Sequence, residues 1–279
     1  MKIPFVTALC LVALTFTGVA LANPGPTSPL YLTGVYGWEG YITVIQGNSV
    51  THIPEAYGGV TSDGLPVEMP IAVWGDIRTV GYQSASPKGG QYSLAGVPTG
   101  TSYALPAISA DAWDSTSDGT HNYLLSAGNV YQTNRDFSNP VLLFNVDHDL
   151  GNQSLGITYD PFNNSLWVST LYGFDSNSEM LDYSLSGRFL KILSPLGTIA
   201  SGLALDPADE SLWLVDSNTG RLTGFSQNYT FLGYGPYVGY AQGLEFNLGP
   251  TPTPEPGTLV LFGSGILGLA GLARRKINL

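Results

Sequence analysis

The sequence predicts an all-β body, a β-propeller of about five blades, set between two apolar terminal segments. Three observations lead there: a gapless repeat within the body, short apolar runs punctuated by turn residues, and no long amphipathic helical stretch between the ends.

The repeat is read from two segments. Gly156-Ile157-Thr158-Tyr159-Asp160-Pro161-Phe162-Asn163-Asn164-Ser165-Leu166-Trp167-Val168 matches Gly202-Leu203-Ala204-Leu205-Asp206-Pro207-Ala208-Asp209-Glu210-Ser211-Leu212-Trp213-Leu214 at a constant offset of 46. Gly-apolar-x-apolar reads as a strand entering a core. Asp-Pro and the polar residues after it make a turn, because Asp accepts nearby backbone donors and Pro presets its own φ. Ser-Leu-Trp is the returning strand, with alternate residues buried. Gly243-Leu244-Glu245-Phe246 restarts the pattern 41 residues after Gly202. Ala112-Trp113-Asp114 with Asn122-Tyr123-Leu124 reads as the same hairpin with a lengthened turn. At about 45 residues per unit, the roughly 220 residues of the body make about five blades. Gly243 then closes the ring by pairing with strands around Tyr31 to Tyr36. The alternative is a β-sandwich, in which a gapless repeat of this length is unusual.

Composition narrows the function. Residues 23–250 carry 20 Asp and Glu against 6 Lys and Arg, a balance of −14. That field repels nucleic acid and anionic lipid, and suits divalent cations and neutral glycans. Cys10, the only cysteine, lies in the N-terminal apolar run, so a body without it has no disulfide and no thiolate metal site.

The ends read as addresses. Met1-Lys2, an apolar run to Leu21 and the small residues Ala20 and Ala22 form a signal peptide over 1–22, cleaved after Ala22 by signal peptidase following passage through the Sec translocon. Residues 251–279 form a tail: a Pro-rich spacer, an uncharged Gly/Leu-rich transmembrane helix from Thr258 to Ala273, and the basic stop Arg274, Arg275 and Lys276. The span is short for a bilayer, which needs about 17–25 residues. Pro254, Glu255, Pro256 and Gly257, followed by that span and stop, closely resemble a PEP-CTERM sorting signal. The resemblance implies recognition by an exosortase near Pro-Glu-Pro, a membrane stage, release to the surface or matrix, and a Gram-negative host that makes exopolysaccharide.

The body repeat is similar to those of NHL-type and gluconolactonase-like propellers. The resemblance implies, for an enzyme of that kind, a Glu, an Asn and Asp residues around one metal in the channel. Glu39, Asp216, Asn218 and Glu245 are the candidates, and the alternative function is a metal-dependent extracytoplasmic hydrolase or lactonase.

Other candidate chemistry is sparse. His52, His121 and His148 have no metal-ligand spacing. Asn145, Asp147 and Asp149 alternate on one face of an extended segment, a geometry able to hold Ca2+; with no EF-hand Gly or distal Glu following, the default is a solvated loop after the Val141-Leu142-Leu143-Phe144 strand, and no cofactor is expected. Asp111, Asp114 and Asp118 cluster. Ser117-Asp118-Gly119-Thr120 is similar to an Asp-box turn of sialidases, but His121 replaces the trailing aromatic and no arginine triad is recognisable; it reads as a turn. No catalytic and no metal residue is assigned. Tyr229, Phe231, Tyr234, Tyr237 and Tyr240 crowd a Gly-rich segment, as sugar-stacking platforms or as core. The expected function is a non-catalytic exported surface or matrix protein that binds polysaccharide or protein.

Overall fold

The computed structural model describes residues 25–249 except 37–38, 48, 58–67, 82–87, 147–152, 173–176 and 195. The signal segment with Ala20 and Ala22, and the tail with its motif and basic stop, lie outside the described residues. Among the described residues, no helix is long and apolar enough to cross a membrane.

The strands form five antiparallel sheets of four. Blade 1 begins with β1 (Leu30–Tyr36), β2 (Glu39–Gln46) and β3 (Ser49–Pro54). Blade 2 is β4 (Glu68–Val73), β5 (Ile77–Gly81), β6 (Lys88–Tyr92) and β7 (Pro98–Ala104). Blade 3 is β8 (Ala112–Ser117), β9 (Asn122–Ser126), β10 (Asn129–Thr133) and β11 (Val141–Asn145). Blade 4 is β12 (Gln153–Asp160), β13 (Ser165–Tyr172), β14 (Asn177–Ser184) and β15 (Phe189–Leu193). Blade 5 is β16 (Ala200–Leu205), β17 (Leu212–Asp216), β18 (Arg221–Phe225) and β19 (Phe231–Tyr237). The last strand, β20 (Tyr240–Phe246), returns to blade 1 as its inner strand and pairs with β1, Leu244 opposite Leu32 and Phe246 opposite Leu30. The body is therefore a five-bladed propeller closed by its two ends.

Inner strands neighbour one another in the order β20, β4, β8, β12, β16 and back to β20. Each blade packs a face on the next, so inner strands are buried on both sides, and β16 and β17 are buried at every residue. Separate apolar clusters seal the contacts between blades 1 and 2, 2 and 3, and 4 and 5, and a larger one joins blades 1, 3, 4 and 5. The repeat tryptophans belong to this packing: Trp167 of blade 4 faces blade 5, and Trp213 lies in the larger cluster.

The repeat turn folds as its residues dictate. Asp160 accepts the N–H groups of Phe162 and Asn163 at 2.9 and 3.2 Å, and Asp206 accepts that of Ala208 at 2.9 Å. Asn164 and Glu210, at the same repeat position, both take left-handed φ, 52° and 61°. Asp206 also accepts the N–H groups of Thr27 and Ser28 at 2.7 and 3.0 Å, and the Ser28 hydroxyl at 2.6 Å. The segment leading into β1 is thus latched to blade 5, a second closure of the ring.

The upstream hairpin exists, but its turn is not lengthened. Thr116 accepts the Tyr159 N–H at 2.9 Å as Thr158 accepts that of Leu205 at 3.1 Å, so Thr116 and Thr158 are equivalent. The turn residue equivalent to Asp160 is therefore Asp118, not Asp114. Asp118 accepts the N–H groups of Thr120 and His121 at 2.8 and 2.6 Å, with Gly119 at φ 88°.

Candidate functional site

The equivalence of Thr116 with Thr158 places Asp114 where blades 4, 5 and 1 carry Gly156, Gly202 and Gly243. Those glycines mark close backbone approach. A Cβ on Gly156 would lie 2.5 Å from the Leu203 nitrogen, and one on Gly202 would lie 2.5 Å from the Gln242 carbonyl oxygen. At the same position blade 3 carries the side chain of Asp114. The Asp114 carboxylate accepts the N–H groups of Ile157 (3.1 Å), Leu203 (3.4 Å) and Leu244 (3.3 Å), each the residue after a repeat glycine, and of Ser115 (2.9 Å). One carboxylate thus ties inner strands of four blades together.

Glu245 lies beside it, fully buried, and accepts the Thr158 hydroxyl and the Phe246 N–H, both at 3.1 Å. Burial pushes Asp114 well above the ordinary carboxylate range, against the pull of its four N–H donors. Burial also raises Glu245, and the Asp114 charge adds to it against the hydroxyl bonds. Asp114 is thus met by backbone donors, while Glu245 Oε2 is buried without a hydrogen-bond partner in the protein.

Of the residues proposed for a channel metal, Asp216 and Glu245 do not converge. Glu245 is at the axis. Asp216 ends β17, where it accepts the Asn218 N–H at 2.9 Å and the Thr219 hydroxyl at 2.8 Å. Burial raises Asp216, but these hydrogen bonds outweigh it and hold its carboxyl below the usual range. Glu39 opens β2 opposite Tyr36. Among the described residues no group of three or more His, Cys, Asp and Glu is placed to hold a metal. His52 meets the Thr43 hydroxyl at 2.9 Å, and His121 lies 3.6 Å from Asp118 in the turn. Asn145 donates to Asn129 at 3.0 Å, while Asp147, His148 and Asp149 lie outside the described residues.

The aromatic segment does converge. A cavity of about 280 Å³ opens between blades 4 and 5. Asp216, Thr223 and Phe225 of blade 5 line it on one side, and Leu196 and Thr198, on the chain tied to Ser178 of blade 4, on the other. Tyr229, Phe231 and Tyr234 form its rim, exposed by 42, 49 and 49%. Their rings hold one another: Tyr229 stacks on Phe225 at 6.4 Å, and Phe231 meets Phe225 at 5.9 Å and Tyr234 at 5.0 Å, both edge-on. The Arg221 guanidinium sits 5.5 Å from the Tyr234 ring. Tyr237 is exposed outside the cleft. The cleft continues the apolar contact between blades 4 and 5, which also includes Leu196 and Phe225.

Sequence reasoning missed the axial role of Asp114 and the buried pair in blade 2. There Glu68 accepts the Tyr57 N–H at 2.7 Å and the Tyr92 hydroxyl at 2.9 Å, while Glu55 accepts the Glu68 N–H at 2.8 Å. Burial, then the Glu68 charge, raises Glu55. The signal for Asp114 was present as an Asp at the repeat glycine position, hidden by the wrong turn alignment.

A chain of a nidogen/laminin complex superposes with a TM-score of 0.51 at 12% identity, over 79% of this chain and 98% of that one. A functionally unknown protein from Desulfotomaculum acetoxidans DSM 771 gives 0.46 at 12% identity, over 81% and 87%. Virginiamycin B lyase from Staphylococcus aureus gives 0.45 at 13%, over 77% and 88%. At 12% identity, the likeness to the chain of the nidogen/laminin complex is one of fold. No curated protein matches the sequence. The tail is more specific: residues 252–276 match the PEP-CTERM protein-sorting motif. The protein is a five-bladed propeller with a PEP-CTERM sorting tail, which implies export, a membrane-anchored stage in the cell envelope and processing by an exosortase.

Proposed function

We propose that this chain is a surface or extracellular-matrix protein of a Gram-negative bacterium, whose propeller is a non-catalytic module for binding polysaccharide. The observation that carries the address is the motif match at 252–276, and the aromatic cleft supports the binding role. Sec export and removal of residues 1–22 leave Asn23 as the first residue, shortly before the latch of Thr27 and Ser28 on Asp206. The exosortase then acts near Pro254-Glu255-Pro256, after the helix and Arg274-Arg275-Lys276 have held the body outside the membrane.

Intact mass of the protein from its host, fraction by fraction, tests the address. A species running from Asn23 to near Pro254–Pro256 at the surface or in the medium is the expected result. An intact tail kept in membranes would overturn processing. Binding to the host's own exopolysaccharide tests the body; capture of a surface protein instead would replace polysaccharide by the protein reading. The module needs no cofactor, so EDTA leaves binding unchanged. A rise in Tm with Ca2+ that is lost in Asp147→Asn would instead support a cation site in the segment from Asn145 to Asp149.

A further inference from the structure

We propose that the cleft between blades 4 and 5 binds a single uncharged pyranose ring, a chain end or branch, with Phe231 and Tyr234 against the sugar face and Asp216 and Thr223 at the floor. This rests on the reading of the body as a polysaccharide-binding module, and adds the place and the class of sugar.

Size limits the occupant. A cavity of about 280 Å³ falls just below the ~300–1,000 Å³ of sites for drug-sized ligands, so it admits one ring and not a long chain. Chemistry limits it further. A pyranose has an apolar C–H face and polar hydroxyl edges. The half-exposed rings of Phe231 and Tyr234 offer the matching face. Because Phe225, Tyr229, Phe231 and Tyr234 already pack on one another, little side-chain freedom is lost on binding.

The floor is polar where the rim is aromatic. Asp216 is held in its ionised form and accepts from ligand hydroxyls in charge-assisted bonds. A wholly apolar ligand would strip water from that carboxylate without replacing it. Thr223 is buried, and its Oγ1 has no hydrogen-bond partner in the protein. Such a hydroxyl is costly while unpaired, and because Thr223 lines the cavity, a turn about its Cα–Cβ bond on binding brings it a ligand partner. Acidic sugars are disfavoured by Asp216 itself and by the −14 balance of residues 23–250.

The test is titration of the full-length chain with neutral gluco-, galacto- and manno-configured oligosaccharides and with their uronic-acid counterparts. The wild type binds at least one neutral series. Phe231→Ala and Tyr234→Ala each weaken it about tenfold or more, because each removes a ring from the apolar side of the site. Thr223→Val weakens it severalfold while leaving Tm unchanged or raised, because an unpaired hydroxyl is replaced by a methyl of the same shape. Phe189→Ala, on the exposed edge of blade 4, leaves binding as it was. Undiminished binding by the cleft variants would overturn the cleft and leave the polysaccharide reading standing. Equal or tighter binding of uronic-acid oligomers would overturn the uncharged class. Wild-type protein that binds no glycan would overturn the reading of the body, and the cleft with it.

Discussion

At the axis, Asp114 is shut off from water and takes backbone donors from four inner strands. At the outer edge of blade 5, Tyr234 and Phe231 stand half in water and touch mainly other rings and Arg221. The polar residue is inside and the aromatic ones are outside, the reverse of ordinary partitioning. The axial carboxylate is there because five inner strands meet with donors that no ladder uses. The rim aromatics are there although nothing in the fold requires their exposure. One region is explained by assembly, the other by a ligand, and substitutions separate them.

The largest effect belongs to Asp114→Ala. It leaves N–H groups of β12, β16 and β20 buried without acceptors, and costs about 3–5 kcal/mol, as does removing one partner from other buried charged networks. Asp114→Asn keeps one acceptor oxygen and loses less. Chemical denaturation of the body measures both; an Ala variant as stable as wild type would remove Asp114 from the centre of the assembly. Next comes Gly202→Ala. Its Cβ meets a carbonyl oxygen that cannot turn aside, and overpacking of this kind costs about 1–3 kcal/mol. Gly100, with open space around it, provides the control: Gly100→Asn costs less, although its φ is 85°.

A smaller effect has the opposite sign. Glu245 has a folded pKa above its unfolded one, as has Asp114. Their contribution is full below the ordinary carboxylate range and is lost as pH rises through the folded values, by up to about 1.4 kcal/mol per unit for each group. The body is therefore most stable at mildly acidic pH. Glu245→Gln removes one of these titrations and leaves those of Asp114 and of the raised Glu55 and Asp182, so its Tm falls less between about pH 5 and 8. A wild-type Tm that rises over that interval would contradict the axial account.

Much of this was legible because an inner pair of strands is buried on both faces. The repeat Gly-apolar-x-apolar-Asp-Pro and Ser-Leu-Trp spans the two strands nearest the axis, where every position is constrained. The outer strands face solvent on one side: β15 reads Phe189-Leu190-Lys191-Ile192-Leu193 and β7 reads Pro98-Thr99-Gly100-Thr101-Ser102-Tyr103-Ala104, with no shared pattern. Ring closure through Gly243 was legible for the same reason. The latch on Asp206 was not, since Thr27 lies 179 residues away. The tyrosine-rich segment was visible as a cluster, but adjacency to Asp216 and Thr223 depends on how β17, β18 and β19 align. That Asp216 lies at the cleft and Glu245 at the axis was likewise not legible, since it depends on where in its blade each strand runs.

The smallest expected effect decides what the rim is. Tyr234→Ala and Phe231→Ala each remove a ring that is already half solvated, so their loss of stability stays within about 0.5–1 kcal/mol. Phe189→Ala at the edge of blade 4, which touches Tyr183, falls in the same range. All three are read by the midpoint of denaturation beside Asp114→Ala. If the blade 5 variants lose as much as Asp114→Ala, the rings are core that happens to be exposed, and their retention is explained by packing. If the loss is small, packing does not account for four mutually fitted rings around a cavity with an ionised carboxylate at its floor, and their arrangement is a property of the cleft.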